Sequence, residues 1–191
     1  MKAFVRGEIG RTVAVLQAMG GDDRLLDAVR RASEIVVAAL AAGGKVMLCG
    51  NGGSAADAQH LAGELVGRFQ RERAGLAALA LTADTAVVTA IGNDFGFEHV
   101  FARQVAALGR PGDVLIALST SGRSPNVLRA LEQARAAGVA TIGMTGGTGG
   151  GMGALCEVCL RVPAEATSRI QEGHIVLGHI LCALIEREAP S

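Results

Sequence analysis

Five short apolar runs, at 45–49, 77–81, 113–118, 139–144 and 158–162, recur between longer stretches whose apolar residues follow helical spacing. The runs are nearly continuous, as expected of strands covered on both faces. Strands of that kind joined by helices make a parallel sheet with helices on either side, and the crossovers are right-handed. The helical stretches fall at 54–71, at 85–91 followed by 98–108, at 125–137, at a short turn near 152–155, and at 168–187. The expectation is an α/β fold with a five-stranded parallel sheet flanked by helices, a single domain over 1–191. Ligands of such sheets sit beyond the carboxyl ends of the strands, where strand order reverses. The segments after the first and third runs, 51–54 and 119–124, lie at that end.

Two helical segments come before the first run. Ile9, Val13, Leu16 and Met19 form one apolar stripe, and Leu25, Val29, Ala32, Ile35, Val36 and Leu40 form another. Gly20-Gly21 separates them and Gly43-Gly44 ends the second. Residues 1–42 therefore read as a helical extension to a core at 43–191. These helices connect no strands, yet their stripes need a partner, and the same helices of another subunit would supply one.

Lys and Arg balance Asp and Glu at 18 each, which gives no case for nucleic acid or an anionic membrane as a partner. Trp and Tyr are absent, so stacking of bases or sugar rings on aromatic side chains is not the expected binding mode. No apolar stretch reaches about eighteen residues, and the first residues carry no apolar run of signal-peptide length. The expected location is the cytosol, with Cys49, Cys156, Cys159 and Cys182 reduced. Cys156 and Cys159 have the spacing of a redox or metal pair, but no second pair accompanies them. Their segment alternates like a strand, which would send the two thiols to opposite faces.

The chemistry-bearing residues cluster at the two strand-end loops. Val46 to Leu48 leads into Gly50-Asn51-Gly52-Gly53-Ser54 and then an amphipathic stretch, which reads as strand, tight loop and helix. Glycines let backbone N–H groups approach an anion, the helix dipole favours negative charge there, and Ser54 can cap the helix. His60 and Glu64 are one turn apart and share a face, either as an active pair or as a solvated one. Asn51 can contact a ligand or brace its own turn. Ser119-Thr120-Ser121-Gly122-Arg123-Ser124 precedes Pro125, a residue suited to a first helical turn. One serine would cap that helix; three serines and a threonine around a glycine suit a phosphate.

These segments, with Gly92-Asn93-Asp94-Phe95-Gly96-Phe97 and Arg169-Ile170-Gln171-Glu172-Gly173-His174 followed by His179, resemble in order the phosphoheptose isomerases of the sugar isomerase (SIS-domain) superfamily. The resemblance runs from about Gly43 into the C-terminal helix. It implies an isomerase that interconverts sedoheptulose 7-phosphate and D-glycero-D-manno-heptose 7-phosphate through an enediol, towards the heptose of surface polysaccharide. It implies a homotetramer with active sites between subunits, and one zinc ion per subunit.

By the same resemblance Glu64 and His179 are the acid/base residues, and His60, Glu64, Gln171 and His179 hold the metal. Substrate falls to Asn51, Gly52, Gly53, Glu64, Asn93, Asp94, Ser119, Thr120, Ser121, Ser124 and Gln171. Arg68, one turn beyond Glu64, is a further candidate that can equally point to solvent, and Asp94 can equally be an N-cap. His99 and His174 are weaker candidates, and Gly146 to Gly151 reads as a flexible loop. Ser168 cannot replace a carboxylate as a strong base, so no role is carried to it.

Two physical points bear on the metal. A carboxylate bound to zinc is a poorer base, because the cation favours its ionised form. Gln171 and His179 also stand about 12 Å apart along a straight helix, and glutamine is an uncommon zinc ligand. Two other functions compete: an SIS-domain isomerase of another phosphosugar, and a non-enzymatic replication-initiator-associating protein. The latter lacks the paired Glu and C-terminal His that stand here as Glu64 and His179.

Overall fold

The computed structural model describes residues 1–189; positions 190 and 191 of the domain read as 1–191 lie outside the described residues. Helices α1 (Lys2–Gly20) and α2 (Asp23–Ala41) lead into β1 (Val46–Gly50), α3 (Gly53–Val66), β2 (Ala78–Ala80), α4 (Thr85–Phe95) and α5 (Ala102–Leu108). They are followed by β3 (Val114–Leu118), α6 (Pro125–Ala136), β4 (Ala140–Gly146), β5 (Val158–Val162) and α7 (Thr167–Glu188). The break between α1 and α2 falls at the expected glycines, and the Asp22 carboxylate caps α2 by accepting from the N–H groups of Arg24 and Leu25.

All five strands are parallel, in the order β2-β1-β3-β4-β5, so strand order reverses between β1 and β3. The core lies in two layers, one on each face of the sheet. Leu48, Ile116, Met144 and Leu160 face α1, α2, α3 and α7, whereas Met47, Leu115 and Ala117 face α5 and α6. Every residue of β1 and β3 is buried, the pattern that made those runs continuously apolar. No helix among the described residues is long and apolar enough to cross a membrane.

Four expectations need correction. First, α3 ends at Val66 rather than near 71, so Arg68 lies in the following loop and not one helical turn beyond Glu64. Secondly, α4 runs on to Phe95 and absorbs Asn93 and Asp94, so Asp94 caps no following helix. Thirdly, Ser54 does not cap α3: Gly52 occupies that position without a side-chain cap, and Ser54 is buried inside the first turn. Fourthly, the Cys156 and Cys159 thiols lie on one face, because Cys156 precedes β5 rather than belonging to it. Their sulfurs stand 2.7 and 3.5 Å from where a Cβ on Gly143 would be. Burial, and then the neighbouring Cys159, push the Cys156 thiol up to about 12, so it carries no reactive thiolate near neutral pH.

Candidate functional site

Three loops meet at the carboxyl ends of the central strands. The Asn51 side chain, just past β1, exchanges two hydrogen bonds with Asn126 in the first turn of α6, at 2.9 and 2.8 Å. The bracing role of Asn51 is thus realised, and its partner is a residue that the spacing did not single out. Gly52 has φ 57°, a left-handed conformation that suits glycine and turns the chain from β1 into α3. The loop after β4 does not float free: the Gly146 N–H donates to the Thr120 carbonyl at 3.0 Å, and that of Gly151 to the Gly122 carbonyl at 2.8 Å. Gly122 itself has φ 62°.

Between these loops the hydroxyls of the serine segment are drawn together. Ser119 Oγ and Ser124 Oγ are 3.0 Å apart, and Ser121 Oγ accepts from the Arg123 N–H at 3.2 Å. Ser124 occupies the N-cap position of α6 but makes no capping hydrogen bond, since its hydroxyl turns to Ser119. The N-terminus of α6 thus has no side-chain cap and stands beside clustered hydroxyls, an arrangement suited to a phosphate. Thr120, Ser121 and Arg123 open onto a cleft that Ile170 of α7 also lines.

The second half of the site comes from α3 and α7, which run side by side in the same direction. A Cβ on Gly53 would lie 2.5 Å from Gln171 Nε2, and one on Gly178 2.6 Å from Leu61. Beside the second contact His60 Nε2 and His179 Nε2 approach to 2.9 Å, and His60 Nε2 lies 3.4 Å from Glu64 Oε1. At 2.9 Å one imidazole donates and the other accepts, so the pair shares a proton beside a carboxylate. The two rings meet edge-on, at 70° between planes, while Phe69 stacks on His179 with 5.5 Å between centroids.

Donor atoms of His60, Glu64 and His179 all lie within 4.8 Å of one another. Two imidazole nitrogens and a carboxylate oxygen are the donor types zinc takes, and tetrahedral ligands at zinc distances would stand about 3.3 Å apart. The donor set suits the ion, and the two histidine nitrogens would part by a few tenths of an ångström to reach that spacing. Gln171 sets its amide against Gly53, at the start of α3. Its spacing from His179 along one straight helix shows in the structure as two separate contacts with α3.

Asp57 was missed by the sequence reading. It stands three residues before His60 on α3, its Oδ2 is buried without a hydrogen-bond partner, and burial raises its pKa while His60 and His179 pull it down. The stripe Asp57, His60, Glu64 at helical spacing was the available signal. Asn93 and Asp94 are exposed and bonded to each other at 2.8 Å, and Asp94 lines a groove with Phe95 and Arg103, apart from the serine cleft. Arg68 is exposed and makes no ion pair among the described residues. His174 is wholly buried, and burial pushes its imidazole down to about 4.

Comparison with known proteins is consistent along nearly the whole chain. Residues 14–146 match the family model of the SIS domain. The phosphoheptose isomerase of Burkholderia pseudomallei (strain K96243) is 55% identical over 183 residues, covering 96% of this chain and 93% of that protein. That of Rhodospirillum rubrum is 60% identical over 159 residues, 83% of this chain and 85% of that protein. Among solved structures, phosphoheptose isomerase GmhA from Neisseria gonorrhoeae superposes with a TM-score of 0.91 at 43% identity, covering 97% of this chain and 98% of that one. A phosphoheptose isomerase from Francisella tularensis gives 0.92 at 38% identity, covering 97% of each chain.

Proposed function

The chain belongs to the SIS-domain family as a phosphoheptose isomerase of heptose biosynthesis, interconverting sedoheptulose 7-phosphate and D-glycero-D-manno-heptose 7-phosphate, and we propose that Glu64 and His179 carry the proton transfers. The observation that carries this reading is the convergence of His60, Glu64 and His179 from α3 and α7. In the direction from ketose to aldose, Glu64 removes the proton from C1 and returns it to C2. His179 gives a proton to O2 as the enediol forms and takes one from O1 as the aldehyde appears, so protons balance. The Ser119, Thr120, Ser121 and Ser124 hydroxyls with the α6 N-terminus hold the phosphate, and Asn51, Gly52, Gly53 and Gln171 line the polyol.

His60, Glu64 and His179 would hold a zinc ion, with Gln171 as the proposed fourth ligand; bound there, it would stabilise negative charge developing on the sugar oxygens. Asp57, facing both histidines, would orient them. A homotetramer is proposed because α1 leaves Phe4, Val5, Ile9 and Val13 exposed at 68, 50, 61 and 46%. Asn93, Asp94 and Arg68, outside the cleft of a single protomer, enter the substrate site through that assembly. A cytosolic location is part of the proposal, supported by four unpaired cysteines.

The test is incubation of the purified protein with sedoheptulose 7-phosphate, following the aldose by NMR, with Glu64→Gln as control. Conversion by the parent alone is expected, lowered by chelation and restored by zinc. Normal turnover in the variant would remove Glu64 as the base, and full activity in verified metal-free protein would remove the metal.

A further inference from the structure

Beyond the histidine cluster, α3 and α7 are joined a second time, at their C-terminal ends. After Val66 the chain leaves α3, and three successive N–H groups, those of Phe69, Gln70 and Arg71, donate to the Glu186 carboxylate at 2.9, 2.7 and 2.9 Å. Glu186 lies in the last turn of α7 and is only 8% exposed. Arg73 places Nε 3.3 Å from the same carboxylate. Its terminal nitrogens donate to the carbonyls of Glu64 and Leu65, both at 2.8 Å, which closes the end of α3. Consecutive backbone donors around an anion make a concave, charge-assisted clasp that fixes backbone orientation more firmly than a single neutral bond. A buried ion pair is in itself weak evidence of stability, so what the clasp holds in place matters more.

What it holds is Phe69. With its N–H bound to Glu186, the Phe69 ring lies nearly parallel to His179, at 20°. The torsion that turns an imidazole is broad and roughly two-fold, so a histidine on a helix surface needs a neighbour to fix its ring. We infer that Glu186 is a positioning residue: by clasping the 69–71 backbone it keeps Phe69 flat on His179, and so keeps His179 Nε2 directed at His60 and Glu64. This rests on the assignment of His179 to the active site.

The experiment uses the full chain carrying Glu186→Gln, Phe69→Leu or His179→Asn, with 13C,15N-labelled histidine. The chain has 4 histidines, so the His179 ring signals are identified by their loss in the His179→Asn protein. In Glu186→Gln and Phe69→Leu these signals should move downfield as the aromatic ring current is lost. Turnover number should fall roughly ten- to a hundredfold, the range that ångström-scale misplacement produces, with KM changing far less. Phe69→Leu keeps apolar volume and carries the test if Glu186→Gln fails to fold. Unchanged His179 signals in the folded variants would overturn the clasp whatever the activity. Shifted signals with full turnover would overturn its part in catalysis. Near-normal turnover in His179→Asn would instead overturn the site assignment beneath it.

Discussion

The reciprocal amide pair of Asn51 and Asn126 permits a quantitative test of how the site's loops are held. Two hydrogen bonds, at 2.9 and 2.8 Å, join the loop after β1 to the first turn of α6. Each contributes about 0.5–1.5 kcal/mol net, so the pair is expected to couple the two positions by about 2 kcal/mol. Asn126 is 2% exposed, and Asn51→Ala would strand its amide away from water. Each single alanine variant should therefore cost about 2–3 kcal/mol, and the double variant only about 3, because the second change removes no further bond. Urea unfolding of the four proteins at one protein concentration gives the cycle by linear extrapolation. The same proteins should lose kcat/KM together, since either change frees both loops. Single costs that add to within about 0.5 kcal/mol would refute the link.

Two further predictions concern the serine loop and the buried histidine. Ser121→Ala should raise KM for the phosphosugar roughly tenfold or more, the loss of one hydrogen bond to a charged group, and unchanged affinity would count against the cradle. His174 is neutral in both folded and unfolded chains above its ordinary value of 6.5, but in the folded protein it resists protonation down to about 4. Across that window the unfolded chain gains a proton that the folded one refuses, so stability should fall with pH by on the order of 3 kcal/mol. In His174→Leu this part of the acid slope should vanish, and a difference from the parent that stays constant with pH would refute the assignment.

The sheet was legible because strands covered on both faces must be apolar throughout, as 46–50 and 114–118 are. His60 and Glu64 were legible for a local reason, their spacing within one helix. What escaped depends on contacts between distant segments. Gly67 is a local stop signal for α3, but nothing local shows that the N–H groups beyond it are taken by Glu186, 117 residues away from Phe69. Asn126 looks like any polar residue in a first helical turn until Asn51 is seen opposite. Strand alternation carried back to Cys156 puts the two thiols on opposite faces, but Cys156 lies outside β5, which begins at Val158. Helical spacing does separate Gln171 from His179 along α7, and the Gln171 amide lies against Gly53 at the start of α3.

His60 and His179 meet across 119 residues of sequence, with every strand after β1 lying between them. The proposed phosphate cradle closes within the middle of the chain, whereas the proposed acid/base cluster forms only where α7 docks on α3. On that assignment, competence hangs on one helix-to-helix contact between distant parts of the chain. Because Leu177, Leu181 and Ile185 of the same helix are buried in the core, the contact that sets His60 against His179 is held by the packing of the fold itself.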